Sequence, residues 1–466
     1  MVKVDVIVVG SGLAGLVAAR RLQSEGFVVA VLEAQSVVGG RVRSCGEEAP
    51  WMCGAQWVHP AHTRMQSLLH ELGRSLSDES PRGAVTQRIA GRMRRSGRHL
   101  GVMMAFPHEL TDLRIALWKL AKAAEHVHLE APWKSVDAHH LDVMSFGDWV
   151  EKNARTRWAR EFLRASFCSA LGGALDRVSS LHVLFLVASA GGVRPFFEAV
   201  RGEKRLVVRD GMSSVVEDLA WQMRERVLLG EKVVVIENSA HDVALRTERS
   251  RYRAKRVVVA LPPAAWANIV FDPALPEDWD VVGTDAVESG CWRFLIRYTS
   301  PFWRESGLSG ELLSSEGYLS SVIDGSSRVD DSGVLIAVAT GPRAEELAAM
   351  TSEERRTAVL ADLCVCFGAH AGAPQDFVER DWTGEASPGG GQVSLMGAHA
   401  WRRHGEAMRT RWGRVHFVGS EMASRWAGFL EGAVRSGEDV AALIATIERP
   451  EGTQIQWDDE PETRGF

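Results

Sequence analysis

The first forty residues, VDVIVVGSGLAGLVAARRLQSEGFVVAVLEAQSVVGGR, narrow the choice of fold more than any other stretch. Residues 4–9 are an unbroken apolar run, as expected of a parallel strand buried on both faces. The run enters Gly10-Ser11-Gly12-Leu13-Ala14-Gly15, a G-x-G-x-x-G turn. Gly10 allows the reversal, Gly12 lets backbone approach a pyrophosphate, and Gly15 lets helix pack closely on sheet. Leu13 and Ala14 open the helix, whose free amides favour an anion at that end. Residues 28–32 read as the next strand, and Glu33 ends it, placed to accept hydrogen bonds from ribose hydroxyls. No arginine stands directly beside Glu33, which argues against a 2′-phosphate and hence against NADP. This order of elements predicts a dinucleotide site.

After Ala34 comes a second glycine turn, Gly39-Gly40-Arg41. Here the chain resembles the FAD-dependent flavoproteins of the amine oxidase and glutathione reductase superfamily, and the resemblance implies FAD rather than NAD, with Ala34, Gly40 and Arg41 beside it. The stretch Trp51 to His59 is similar to the segment of amine and polyamine oxidases that passes the flavin ring. By that likeness Gly54 and Ala55 allow close approach to the ring, and Gln56 and Trp57 lie toward the substrate. His59 is either a channel histidine or a satisfied surface one. Residues 178–220 resemble the monoamine oxidase order of helix, Gly-Gly, loop and strand. Aligned without a gap, Phe196 and Phe197 fall at the paired gate of the substrate cavity, and Lys204 at a cavity glutamine. The Val233 backbone falls where the family contacts adenine.

Cys291 to Trp303 resembles the family strand that ends in "PFW". That strand normally carries a lysine nine residues before the phenylalanine, holding a water against the reactive flavin nitrogen. Here the position is Arg293, whose guanidinium keeps the charge but is larger and never a base. Trp382 followed by Ser387 to Gln392 is similar to "W…SGGCY". Gly391 replaces the cysteine that bonds to the flavin in mammalian monoamine oxidases, so attachment is expected to be noncovalent. Gln392 replaces one tyrosine of the aromatic cage, and Trp382 would flank the ring. Gly419-Ser420-Glu421 match the "GxE" at the FAD diphosphate. Trp426 to Ala433 match "WSGYMEGA", with Gly428, Leu430 and Ala433 against the flavin and Phe429 at the second cage position. A helix starting there would point its positive end at the flavin pyrimidine oxygen and favour the reduced anion.

The rest of the chain bounds this reading. It has 466 residues, enough for two intertwined domains, and a charge of −6 that gives no reason to expect nucleic acid or an anionic membrane as partner. No apolar run is long enough to span a bilayer, and a cytoplasmic protein without a leader is expected. The six cysteines are scattered and read as free buried thiols; neither they nor the histidines show metal-ligand spacing. Residues 87–100 form a basic stretch, read as a solvated hairpin or a docking patch for an anionic partner, and residues 109–130 and 145–170 read as amphipathic helices. The tail after Glu448 is acidic and expected to be disordered.

The fold class is therefore α/β. A discontinuous Rossmann-like FAD-binding domain (1–75, 206–275 and 395–448) is joined to an α+β substrate domain (76–205 and 276–394), and residues 449–466 form the tail. The resemblance implies FAD-dependent oxidation of an amine or amino-acid-like substrate, with molecular oxygen as reoxidant, and is compatible with a homodimer. Arg293, Trp382, Gln392 and Phe429 are the residues expected at the chemistry. Two rivals remain: a flavin desaturase or dehydrogenase acting on C–C or ring C–N bonds, and a noncatalytic FAD-binding scaffold.

Overall fold

The computed structural model describes residues 2–45, 51–96, 105–173, 175–201, 204–279, 285–287, 290–326, 331–382 and 393–448. The apolar run forms strand Val2–Val9, the centre of an eight-stranded sheet. It pairs in parallel with Val29–Glu33 on one side and Arg251–Val259 on the other. Val6, Ile7 and Val8 are fully buried. Each such side chain contributes about 1.5–3 kcal/mol by leaving water, so the strand is pinned by its sequence.

Arg251–Val259 carries two kinds of pairing. Its first half is antiparallel to Val243–Thr247, and its last residues run parallel to Val415–Phe417. A late segment is thereby added to the sheet one strand away from the earliest one, with Arg251–Val259 between them, and both run to the same carboxyl edge. Helices Leu13–Ser24 and Leu430–Glu448 pack on this sheet. At their crossing a Cβ on Gly437 would lie 2.5 Å from the Ala14 carbonyl oxygen, so only glycine permits that approach.

A second, seven-stranded sheet is built from Ala84–Ile89, Arg92–Ser96, Cys291–Tyr298, Leu308–Ser314, Ser321–Asp324, Gly333–Thr340 and Asp376–Asp381. The basic stretch is a hairpin, as read, with Ala90 and Gly91 both at positive φ in its turn; residues 97–100 lie outside the described ones. Helices pack on both faces of this sheet, Pro342–Ala348 and Ser352–Phe367 against the Phe294 face and Arg157–Leu171 toward the Arg293 face. The helix expected over 145–170 is two, Phe146–Asn153 and Arg157–Leu171. They part because the Asp112 carboxylate accepts from the amides of Arg155 and Thr156, and Thr156 caps the second helix. The loop expected after Gly191-Gly192 is also a helix, Val193–Val200.

One expectation about the cysteines is overturned. Cys45 and Cys53, read as free thiols, are paired as a disulfide across the short ribbon Ser44–Cys45 and Trp51–Met52, with Cα atoms 5.9 Å apart. Among the described residues, no single helix is long and apolar enough to cross a membrane.

Candidate active site

Two cavities meet at the carboxyl edge of the eight-stranded sheet. The first, about 140 Å³, runs from Glu33 past the glycine turn to Phe429. Gly10 (φ +101°), Gly12, Leu13 and Ala14 form its floor, and Gly40, Arg41, Gly419 and Ser420 stand around it. Gly15 lies beneath, where a Cβ would come within 2.2 Å of the Gly10 carbonyl oxygen. At Gly12 nothing stands within 4 Å of a Cβ, so a side chain would project into the cavity itself. The N-termini of both packed helices reach the wall, one through Leu13 at the glycine turn and the other through Leu430 beside Phe429 and the second cavity, each with unpaired amides.

Glu33 closes one end. Its Oε2 accepts from the Ser11 amide at 2.8 Å and the Ser11 hydroxyl at 2.7 Å, and Oε1 accepts from the Gln35 amide at 2.9 Å. Ala34 and Val233 do not line this wall; Val233 is buried in Val233–Asn238. The strand-end residues Ala260, Leu261 and Pro262 do, although sequence reading passed them over. The Pro262-Pro263 stop after a buried strand was the available signal, since ligands of open α/β sheets sit beyond the strands' carboxyl ends.

Glu421 plays a different part from the one expected. It is not on the cavity wall but grips Arg41, which is. The carboxylate takes both guanidinium arms, at 2.5 and 2.9 Å, and also accepts from the Ser394 amide at 3.2 Å. Burial alone would raise the Glu421 carboxyl, but the Arg41 charge and these hydrogen bonds outweigh it and hold the group down at about 2.

The second cavity, about 220 Å³, shares Arg41, Ala55, Trp382, Gly428, Phe429 and Leu430 with the first. Gly54, Gln56, Trp57, Phe196 and Arg293 line it as well. A Cβ at Gly54 would sit 2.2 Å from the Arg41 carbonyl oxygen, so the segment passes there only as glycine. The Gln56 Nε2 is buried without a hydrogen-bond partner. Arg293 comes from strand Cys291–Tyr298 and donates through Nη1 to the carbonyls of Cys53 (3.0 Å) and Gly54 (2.5 Å). Its Nε has no partner, and its guanidinium lies 5.8 Å from the Trp57 ring centre. Phe429 is held by Trp426, a residue at positive φ (54°) whose amide donates to the Ser189 carbonyl.

The structure separates several expected substrate residues from this cavity. Phe196 is on the wall, but Phe197 turns away on the same helix and packs on Phe167 and Arg201. Lys204 is half-exposed and paired with Glu198 at 3.1 Å. His59 is buried behind Trp426, its Nε2 at 3.5 Å from Glu198. Burial lowers its pKa despite that carboxylate. Gln392 and Gly391 lie outside the described residues. Conversely, Leu186, Ser169, Ser321, Ile323 and Val338 are wall residues that sequence reading missed.

The model of the flavin containing amine oxidoreductase family matches residues 13–445. The chain belongs to that family. It is 32% identical over 455 residues to the L-amino acid dehydrogenase of Synechocystis sp., covering 94% of each chain. It is 26% identical to the flavin-containing amine oxidase B of Sus scrofa, covering 99% of this chain and 90% of the relative. Among solved structures it superposes on wild-type putrescine oxidase bound to putrescine with a TM-score of 0.90, at 28% identity, covering 96% of this chain and 100% of the other. Cyclohexylamine oxidase from Brevibacterium oxydans gives 0.89 at 30% identity and the same coverage. The mixed α/β architecture is thus that of the amine oxidases, and the protein is an oxidoreductase. Its cofactor is FAD, held noncovalently. The first cavity fits that group: a glycine floor that a Cβ would obstruct, a helix N-terminus at Leu13 for the diphosphate and a second at Leu430 toward the flavin, and a carboxylate at the ribose end.

Proposed function

We propose that the chain oxidises the C–N bond of a primary amine or amino-acid-derived substrate to an imine, which water then hydrolyses. Bound FAD supplies the hydride acceptor. The observation that carries this reading is the composition of the second cavity. Its described walls hold aromatic and aliphatic side chains, the uncharged polar groups of Gln56, Ser169 and Ser321, and the arginines Arg41 and Arg293, with no carboxylate, imidazole or ammonium among them. A cation in apolar surroundings favours the neutral form of an incoming amine, and a neutral amine is the competent hydride donor. No protein base is then needed; position carries the chemistry. Phe429, Trp382 and Phe196 bound the space, and Arg293 orients what enters it. The division of labour follows the two sheets: residues 1–75, 206–275 and 395–448 hold the cofactor, and residues 76–205 and 276–394 hold the substrate.

Anaerobic mixing of the holoenzyme with a panel of amines and amino acids tests this. Bleaching of the flavin spectrum by at least one of them is expected; a panel that leaves it unchanged refutes amine oxidation.

A second reading concerns the electron acceptor. With Arg293 fixed on two carbonyls in place of a mobile lysine, we propose that oxygen reacts slowly and that hydrogen peroxide forms as a minor product beside transfer to another acceptor. Reduced enzyme mixed with air and, separately, with a quinone decides it: faster reoxidation by air than by quinone sinks this second reading.

A further inference from the structure

The Cys45–Cys53 disulfide lies between the two cavities. Arg43, two residues before it, lines the first, and Cys53 itself lines the second. The ribbon it crosses pairs only Ser44 with Met52 and Cys45 with Trp51. Beyond the ribbon the Cys53 and Gly54 amides donate to the Arg43 carbonyl at 3.1 and 3.0 Å, and the Ala55 amide donates to the Arg41 carbonyl at 3.0 Å. A two-stranded ribbon this short is marginal in water on its hydrogen bonds alone, so the covalent link is what fixes it. What it fixes bears on the chemistry. The Cys53 carbonyl accepts from both the Arg293 guanidinium and the Trp382 indole, and the Gly54 carbonyl accepts from Arg293 as well. Both of those side chains line the second cavity.

The two half-cystines are unequally placed: Cys53 is fully buried, whereas Cys45 is only half-buried. From this asymmetry, and from the bonds the Cys53 backbone makes, we infer that Cys45–Cys53 is a thiol-exchange site through which an external dithiol slows substrate oxidation. The inference rests on the amine-oxidising reading above and names a regulator of that site. A disulfide that solvent reaches at one end is open to exchange from that end. A thiolate of the incoming dithiol bonds to the Cys45 sulfur and breaks the Cys45–Cys53 bond. Cys53 leaves with the electron pair and takes up a proton. The second thiol of the reductant then displaces Cys45, which is protonated in turn. The products are two protein thiols and one oxidised dithiol, so two electrons and two protons have entered the protein. The Cys53 Sγ lies 3.4 Å from the Arg43 carbonyl oxygen, which accepts from the new thiol and keeps it inside. Backbone bonds alone then hold the ribbon, and the oxygen that sets Arg293 and Trp382 is no longer fixed. A misplacement of about 1 Å in such a frame costs up to about 100-fold in rate.

Holoenzyme isolated under air, divided into an untreated and a dithiothreitol-treated portion and desalted without oxygen, tests this. Alkylation in denaturant should count four thiols in the untreated portion, Cys168, Cys291, Cys364 and Cys366, and all six cysteines in the treated one. Limited reduction of the native protein, trapped with iodoacetamide, should label Cys45 before Cys53. Trypsin should cut after Arg43 faster in the treated portion. Anaerobic flavin reduction by an amine that bleaches the untreated enzyme should slow about 10–100-fold on treatment and recover when oxidised glutathione restores the disulfide. Cys45→Ser should show the slow rate and ignore both reagents; if that variant fails to fold, the reversible change in the wild type decides alone. Six thiols in the untreated portion, labelling of Cys53 first, or equal rates from portions that count four and six thiols overturns the inference. In each of these cases the flavin still bleaches and amine oxidation stands. A flavin that no amine bleaches in either portion defeats that reading instead, while the thiol counts, labelling order and trypsin rates still decide for or against the exchange site.

Discussion

Arg293 and Trp382 donate to the same oxygen. The Cys53 carbonyl accepts from Arg293 Nη1 at 3.0 Å and from Trp382 Nε1 at 3.1 Å. Two strands of the substrate sheet are thereby tied to the segment that turns past the junction of the cavities. The Trp382 amide adds a bond to the Cys291 carbonyl at 2.9 Å, so the indole and guanidinium are set by one local frame.

Changing Arg293 should therefore touch both half-reactions. Arg293→Met removes two charge-assisted hydrogen bonds and the cation available to a substrate carboxylate, and should slow flavin reduction by an amino acid about 10–100-fold. Reduction by an amine without a carboxylate should suffer less. Arg293→Lys restores a smaller, mobile ammonium and should speed reoxidation by air. Stopped-flow traces of the separate half-reactions measure each effect; equal losses for amine and amino acid would remove Arg293 from carboxylate binding.

Gly12 and Gly15 should fail differently. Gly15→Ala forces a Cβ to 2.2 Å from the Gly10 carbonyl, so the apoprotein itself should lose stability. Gly12→Ala meets no protein atom within 4 Å, so the apoprotein should melt as the wild type does while FAD affinity falls. Thermal melts of apoprotein paired with FAD titrations separate the two; parallel losses in both variants would mean that the Gly12 position does not face the cofactor.

Legibility in the sequence followed the kind of constraint. The glycine turns and the Trp426–Ala433 stretch were readable because a backbone that must approach something closely permits few residues there. Phe197 was misplaced because a gapless alignment cannot see that Val193–Val200 is a helix, which turns adjacent side chains about 100° apart. The substrate wall was unreadable for another reason. Leu308–Ser314 is buried at every position, so alternation carries no sign of which face meets the cavity. The Cys45–Cys53 pairing depends on the antiparallel register of Ser44–Cys45 with Trp51–Met52, which composition does not announce.

Glu421 predicts an acid limit. Its carboxyl titrates near 2 in the folded chain, below the ordinary 4.5. A depressed pKa contributes stability that is complete above about 4.5 and is lost as pH falls toward 2, on the order of 3 kcal/mol. Thermal melts should show this loss within that window, and FAD release should track it because Arg41 loses its partner. Glu421→Gln should flatten the dependence and lower stability at neutral pH by about 1–3 kcal/mol, since the partly exposed Arg41 guanidinium loses its charged partner. An unchanged acid profile would show that another carboxylate sets the limit.

Glu33→Ala should cost more than ribose contacts. The carboxylate also accepts the Ser11 amide and hydroxyl, so the apoprotein should lose about 1–3 kcal/mol before any cofactor is added. FAD retention after gel filtration should fall as well. A variant with normal apoprotein stability and weak FAD retention would confine Glu33 to the ribose.

The cofactor cavity takes walls from both ends of the chain, residues 10–14 and 419–433. Glu431, fully buried, ties the later wall to helix Thr63–Glu71 by accepting the amides of Arg64 and Met65. During synthesis the glycine turn emerges first and waits for nearly the whole polypeptide before its opposite wall exists. A ribosome-tethered chain arrested before residue 419 should consequently remain colourless in excess FAD, and yellow colour should arrive only once residues 419–433 have emerged. Holoenzyme formation is then a checkpoint on synthesis through that segment, and chains terminated before it are marked by their inability to take up flavin.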